Sequence, residues 1–229
     1  MTLKLNGSSS GSVSIDAPAS TTGGADVTFK LPVADGTSGQ VLQTDASGQL
    51  SFTGNGGSGR KVLEQFFTPC DGSVIATSAG DVTVANVTGV QTGTTSYADL
   101  TGSPITYTPP SGATQVIYDF NFHSSGVDST PMWHMKLFLA GAEVVYARQT
   151  HYKYLYDGNR IHFKWGFNIG GSADANVGRV ASWSSGKEIK LQWREYNTSS
   201  EPKFHETYYW DAAVSSQFSI PCVGITAIG

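Results

Sequence analysis

An all-β chain, with an N-terminal strand-and-hairpin segment and a C-terminal jelly-roll-like β-sandwich, is predicted by three features of this 229-residue sequence. First, charged residues make up only 14%, while glycine occurs 27 times and aromatic residues reach 11%; an average domain is about a quarter charged. Aromatics at that level set the chain apart from disordered sequences. Second, apolar and polar residues alternate with period two in run after run, as in strands that bury one face. Third, turn dipeptides separate the runs, and no long stretch carries the 3.6-residue spacing of an amphipathic helix.

Residues 1–53 form the first part. Lys4-Leu5-Asn6 and Ser12-Val13-Ser14-Ile15-Asp16 alternate cleanly, and turns are marked by Asn6-Gly7, Ser10-Gly11, Gly23-Gly24, Asp35-Gly36 and Ser47-Gly48. Gln40–Thr44 and Gln49–Thr53, bridged by Asp45-Ala46-Ser47-Gly48, read as a hairpin. The apolar residues come in pairs and triplets (Leu3, Leu5; Val13, Ile15; Val27, Phe29, Leu31; Val41, Leu42; Leu50, Phe52), too few for a core. A strand-patterned segment that cannot bury its own apolar face needs neighbours, and identical copies of itself are the obvious supply. The alternative is a flexible leader. Residues 54–59, Gly54-Asn55-Gly56-Gly57-Ser58-Gly59, read as a hinge.

Residues 60–229 carry longer runs: Val62–Thr68, Ile105–Thr108, Thr114–His123, Met132–Leu139, Glu143–Gln149, Ile161–Ile169, Lys187–Arg194, Glu206–Asp211 and Gln217–Thr226. In the third, Val116, Tyr118, Phe120 and Phe122 share a face; in the seventh, Ile189, Leu191 and Trp193 do so. Trp133, Trp165 and Trp193 sit in alternating runs and are expected in the core. Ser96–Leu100 reads as a single helical turn. Strands in this number, with turn signals between them, predict a sandwich of jelly-roll type.

Several function classes find no support. A net charge of −4 without a basic patch argues against nucleic-acid binding. No window approaches the roughly 18–20 apolar residues of a membrane span, so no membrane insertion is expected, and MTLKLNGSSSG has no apolar signal core. There is no GxSxG, HExxH, P-loop or CxxC, so no cofactor, no metal and no enzymatic activity are expected. Glu195 with Glu206, and Asp157 with Asp211, are carboxylate pairs of the kind a glycosidase uses, yet any β domain of this size offers such pairs. His123, His134, His151, His162 and His205 lie outside metal-ligand spacing and read as surface or interface residues. Cys70 follows the first strand of the domain and Cys222 lies in the last; they are expected to be two buried free thiols, close together if those strands are neighbours as in many jelly rolls, with a bridge formed after release as the alternative.

The aromatic distribution is the strongest functional signal. One cluster runs from His151 through Tyr152, Tyr154, Tyr156 and Asp157 to Arg160; another holds Tyr208, Tyr209 and Trp210. Consecutive aromatics in a strand point to opposite faces, so at least one of the last three is left off the core. Tyrosine and tryptophan beside Asp, Asn and Arg suit sugar recognition, the ring stacking on a pyranose while polar neighbours bind hydroxyls. Burial at a subunit interface is the alternative role.

A resemblance then becomes visible. LKLNGSSSGSVSIDAPA followed by FKLPVADGTSGQVLQTDASGQLSF is similar to the leader of tail-fibre proteins of marine and cyanobacterial phages: a short LxLxG strand, an xLP turn and a GQVLxTDxSGxLxF hairpin. More loosely, ITYTPPSGATQVIYDFNF and the closing SQFSIPCVGITAIG resemble strands of the trimeric jelly-roll modules of phage fibres. The resemblance implies a homotrimeric virion fibre, made in the host cytoplasm. Its N-terminal segment would join other phage tail or baseplate proteins, and its head would adsorb to a host surface glycan through many weak sites. The rival roles are a capsid decoration, baseplate or collar component, and a polysaccharide depolymerase.

Overall fold

Four nested strand pairs define the larger part of the computed structural model, which describes residues 3–6, 12–15, 21, 24–45, 47–54, 59–126, 132–152, 159–208 and 216–229. The chain divides into two compact units, Met1–Gly59 and Arg60–Gly229.

In the first unit β1 (Leu3–Asn6) pairs antiparallel with β2 (Ser12–Ile15), and β3 (Gln40–Thr44) with β4 (Leu50–Gly54). The second pair is the predicted hairpin. Its turn is held by Asp45, whose Oδ1 accepts from the amides of Ser47 (2.8 Å) and Gln49 (3.1 Å). None of the described residues between 21 and 54 is buried. Val27, Phe29, Leu31 and Val33, spaced two apart, are all more than 60% exposed.

The second unit contains β5 (Val62–Pro69), β6 (Val74–Ile75), β7 (Val82–Thr83), β8 (Gln91–Thr92), β9 (Ala98–Asp99), β10 (Ile105–Tyr107), β11 (Gln115–Gly126), β12 (Met132–Leu139), β13 (Ala142–Tyr152), β14 (Asn159–Asn168), β15 (Lys187–Glu195), β16 (Pro202–Phe204), β17 (Glu206–Tyr208), β18 (Ser216–Phe218) and β19 (Cys222–Ile228). β12 pairs with β13, β11 with β14, β10 with β15, and β5 with β19, all antiparallel. This is one long two-stranded ribbon rolled on itself. Successive pairs fall in alternate sheets, giving the orders β5-β19-β11-β14 and β10-β15-β12-β13. That strand order makes the unit a jelly roll. β16 and β8 extend the first sheet, and β9 joins β15 in the second.

The ribbon folds back at Ala140-Gly141, which both have positive φ (50° and 81°), the geometry of a two-residue hairpin turn. Leu139 therefore pairs with Ala142, and that register holds to Leu137 and Val144; an irregularity between Met135 and Leu137 resets it, so that Met135 pairs with Gln149. The expected inward sets are all buried: Val116, Tyr118, Phe120 and Phe122 from β11; Ile189, Leu191 and Trp193 from β15. The sheets meet through edge-on ring contacts, Phe66 to Tyr107 at 6.1 Å and Trp193 to Phe204 at 4.1 Å between centroids.

Three local expectations are corrected. Ser96–Leu100 is not a helical turn: Ala98 and Asp99 pair with β15, and the Asp99 carboxylate is held by Lys190 Nζ (3.1 Å) and Gln192 Nε2 (2.8 Å). The run Gln217–Thr226 is broken at Ser219-Ile220-Pro221, where proline has no N–H for a ladder. Trp165 packs against the core but is only partly buried, and its indole donates to the Val177 carbonyl at 3.2 Å.

Both cysteines are free thiols on neighbouring strands, Cys222 pairing with Pro69, next to Cys70. Burial, with smaller contributions from Cys222 and Asp71, pushes the Cys70 thiol up to about 12.

Candidate functional site

The register of the β10-β15-β12-β13 sheet sets its outer face. Trp133 pairs with Glu195 and Met135 with Trp193, all pointing inward, so His134, Lys136, Gln192 and Arg194 point outward. Across β12 and β13, His134 pairs with Thr150 and Met132 with Tyr152. One end of this face therefore gathers His134, Thr150, Tyr152 and Arg194, joined by Tyr196 just past β15 and Tyr97 just before β9.

The contacts among them are specific. His134 Nδ1 lies 3.0 Å from Thr150 Oγ1, and its ring stands 6.3 Å from that of Tyr196. The Tyr97 ring is capped by Lys136 Nζ at 4.4 Å and faced by the Arg194 guanidinium at 5.5 Å. Glu143 accepts from Arg148 Nε (2.6 Å) and Lys136 Nζ (3.1 Å). The Arg148 bond, then that of Lys136, holds the Glu143 carboxyl below the usual range. His134 is also lowered, first by desolvation and then by Arg194, which favours the neutral ring.

Tyr146, Tyr152 and Tyr196 are 70, 62 and 55% exposed. Exposed rings interleaved with neutral and cationic donors can stack on the apolar face of a sugar and bind its hydroxyls.

The expected site residues are distributed as follows. Tyr152 ends β13 on this face. Arg160 lies in β14, in the other sheet, opposite His123 of β11, so the structure does not bring it beside Tyr152. Tyr208 ends β17. Tyr154, Tyr156, Asp157, Tyr209, Trp210 and Asp211 lie outside the described residues. Tyr97, His134, Arg194 and Tyr196 were not foreseen as one group. His134 and Arg194 lie on the polar phase of their runs, Tyr97 and Tyr196 just outside strands, and only the cross-strand register makes them neighbours.

The expected carboxylate pair is separated in role. Glu206 is buried, accepts a hydrogen bond from Ser125 Oγ, and has Lys203 Nζ at 3.7 Å. Glu195 instead lines a cleft with Glu201. Beside Glu206, His205 is fully buried, and among the described residues neither ring nitrogen makes a hydrogen bond of good geometry. Burial pushes His205 down to about 4, partly opposed by the Thr101 backbone. No cluster of three or more metal-ligating side chains occurs among the described residues. Nor is any described helix long and apolar enough to cross a membrane.

No protein-family model matches this chain, and no curated protein matches it. Among solved structures, the structure of the infectious bursal disease virus Gx strain is similar over 78% of this chain and 43% of that one, at 5% identity and a TM-score of 0.34. The structure of the Gt strain of the same virus is similar over 68% and 50%, at 11% identity and a TM-score of 0.22. The chain spans half or less of the length of those viral chains. Likeness at such TM-scores does not establish a common fold.

Proposed function

We propose that this protein is a virion structural protein, a homotrimeric phage tail fibre or spike that adsorbs to a host cell-surface polysaccharide through its jelly-roll head. The observation that carries the reading is the outer face of the β10-β15-β12-β13 sheet, where Tyr97, Tyr152 and Tyr196 surround His134, Thr150 and Arg194. Two features add to it. The first unit has an apolar stripe, Val27 to Val33, that stands open in a single chain. Its sequence, with the LxLxG strand and the GQVLxTDxSGxLxF hairpin, resembles phage fibre leaders. Three copies would cover the stripe and multiply weak sugar contacts into firm attachment. The head acts by binding, without cleaving the glycan.

The test uses the full chain. Mass in solution should be three times 24.2 kDa, and fluorescently labelled protein should bind host cells in a way that free host polysaccharide competes away. Replacing both Tyr152 and Tyr196 by alanine should weaken cell binding at least tenfold, since each stacked ring contributes about 1 kcal/mol per site and the loss multiplies across a trimer. A monomer at micromolar concentration removes the assembly. Release of oligosaccharides would replace binding with hydrolysis. Location on the virion capsid surface would favour a decoration role over adsorption.

A further inference from the structure

At the end of β15, Glu195 points into the sandwich beside Trp133 and Trp193 and is only 7% exposed. A carboxylate so placed normally accepts several hydrogen bonds or pairs with a cation. Among the described residues no donor reaches it. Its own amide is engaged, donating to the Thr94 carbonyl at 3.0 Å, so the backbone there is fixed while the carboxylate is left open.

The carboxylate opens onto a cleft of about 410 Å³ lined by Thr92, Gly93, Glu195, Thr198, Glu201 and Lys203. That volume lies within the range of small-molecule sites, about 300–1,000 Å³. Gly93 packs directly on this carboxylate: a Cβ there would stand 2.6 Å from Glu195 Oε2 and 3.3 Å from the Trp193 indole, so any side chain at this position displaces the carboxylate. The turn that carries Thr198 is ordered by Asn197, whose Oδ1 accepts from the Ser199 amide (3.1 Å) and the Ser200 hydroxyl (3.0 Å). Lys203, which also lines the cleft, holds its ammonium 3.7 Å from the buried Glu206.

The linings set the ligand chemistry. Two carboxylates accept hydrogen bonds, while the Lys203 ammonium and the Thr92 and Thr198 hydroxyls donate them, all around one small volume. A bare metal cation would use only the acceptors and would be repelled by the lysine. A simple anion would meet Glu195 and Glu201. A ring of vicinal hydroxyls gives and accepts hydrogen bonds at each position, and so matches both sets.

We propose that this cleft is a sugar-ring subsite, in which the buried Glu195 carboxylate accepts hydrogen bonds from adjacent hydroxyls of a pyranose and the lack of a side chain at Gly93 leaves that carboxylate in place. It lies outside the tyrosine face, and it rests on the glycan-binding reading of the head. The subsite selects a ring that presents two neighbouring equatorial or cis hydroxyls to one carboxylate, whereas the exposed tyrosines grip any sugar face.

The test is ligand-observed saturation-transfer NMR on the full-length protein with methyl glycosides of galactose, mannose, rhamnose and N-acetylglucosamine. Binding of each is compared in the wild type, Glu195→Gln, Gly93→Val and the double variant Tyr152→Ala/Tyr196→Ala. The subsite predicts that at least one glycoside binds the wild type. It further predicts at least tenfold weaker binding to Glu195→Gln and Gly93→Val, and retention by the tyrosine variant. Each variant is checked for an unchanged far-UV spectrum and melting profile; if Gly93→Val is unfolded, Gly93→Ala takes its place. Wild-type affinity within twofold in both cleft variants, with loss in the tyrosine variant, overturns the subsite and leaves glycan binding by the tyrosine face standing. If no glycoside binds the wild type, the subsite is overturned; if the protein is also not retained on immobilised host polysaccharide, the glycan reading fails with it. Binding of calcium chloride alone, abolished by Glu195→Gln, makes the cleft a cation site and overturns the sugar assignment.

Discussion

Acidification should destabilise this head through the buried His205. His205 is completely buried, its ring nitrogens make no hydrogen bond of good geometry among the described residues, and burial, partly opposed by the Thr101 backbone, lowers it from an ordinary value near 6.5 to about 4. Its backbone cannot move aside, because its amide donates to the His123 carbonyl and its carbonyl accepts from the Ser219 amide, each at 2.8 Å. Between the two values the unfolded chain holds a proton that the folded chain excludes. Stability is therefore intact above pH 6.5, falls as the pH drops through that window, and levels off below 4. At 1.36 kcal/mol per unit, the loss is about 2 kcal/mol by pH 5 and about 3 kcal/mol by pH 4. Urea unfolding at half-unit steps from pH 7.5 to 4.5 measures it. Because carboxylates and other histidines titrate in the same range, the informative quantity is the difference between wild type and His205→Asn. Asparagine tolerates the positive φ of 63° at this position and does not titrate. The variant starts less stable at pH 7.5, and its curve should be flatter by about 2 kcal/mol at pH 5. Parallel curves for the two proteins would refute the reasoning.

Four further outcomes follow from the packing. Ser103→Ala should cost about 1–3 kcal/mol in urea unfolding, because its buried hydroxyl accepts from the Leu191 amide (3.0 Å) and donates to the Leu191 carbonyl (3.2 Å), and alanine orphans that amide. Phe204→Ala should cost about 3–5 kcal/mol, since this ring packs against Trp193, Phe122 and Trp133 at centroid distances of 4.1, 5.3 and 5.6 Å and joins the two sheets. Gly178→Ala should lower the melting temperature by several degrees, having both a φ of 71° and a Cβ placed 2.7 Å from the buried Phe167 ring. Thiol labelling of the native protein at pH 8 should modify Cys222 and spare Cys70, whose thiol is buried and held at about 12; two thiols reacting at equal rates in the native state would contradict this.

Much of the fold was legible because strand identity is local. The run Met132–Leu139 reads as one strand, and the strand has those bounds. The inward sets of β11 and β15 were readable from period two alone. The errors fell where a distant partner overrides local pattern: β15 pulls Ala98-Asp99 into the sheet, and Pro221 divides a run that looks continuous. The functional face was only half legible. Tyr152 announced itself by its cluster, whereas Tyr97, His134 and the pair Arg194 and Tyr196 come from distant parts of the chain and look unremarkable there. The Glu195 cleft was less visible still, since a carboxylate at the end of a strand carries no mark of having lost its donors.

By itself, then, the sequence determined the all-β class, the hairpin at Asp45, the buried faces of the main strands and the shortage of core-forming residues in the first 53 positions. Alternation and turn chemistry act within a few residues, and they hold whatever the rest of the chain does. The tertiary structure alone decided that β5 closes against β19, that the ribbon rolls into alternate sheets, and that Arg160 and Tyr152 part onto different ones. Pairing is a contest between distant segments, settled by which registers bury both inner faces at once. For that reason the outward neighbours, where sugars would be gripped, are by-products of core packing that no single strand encodes.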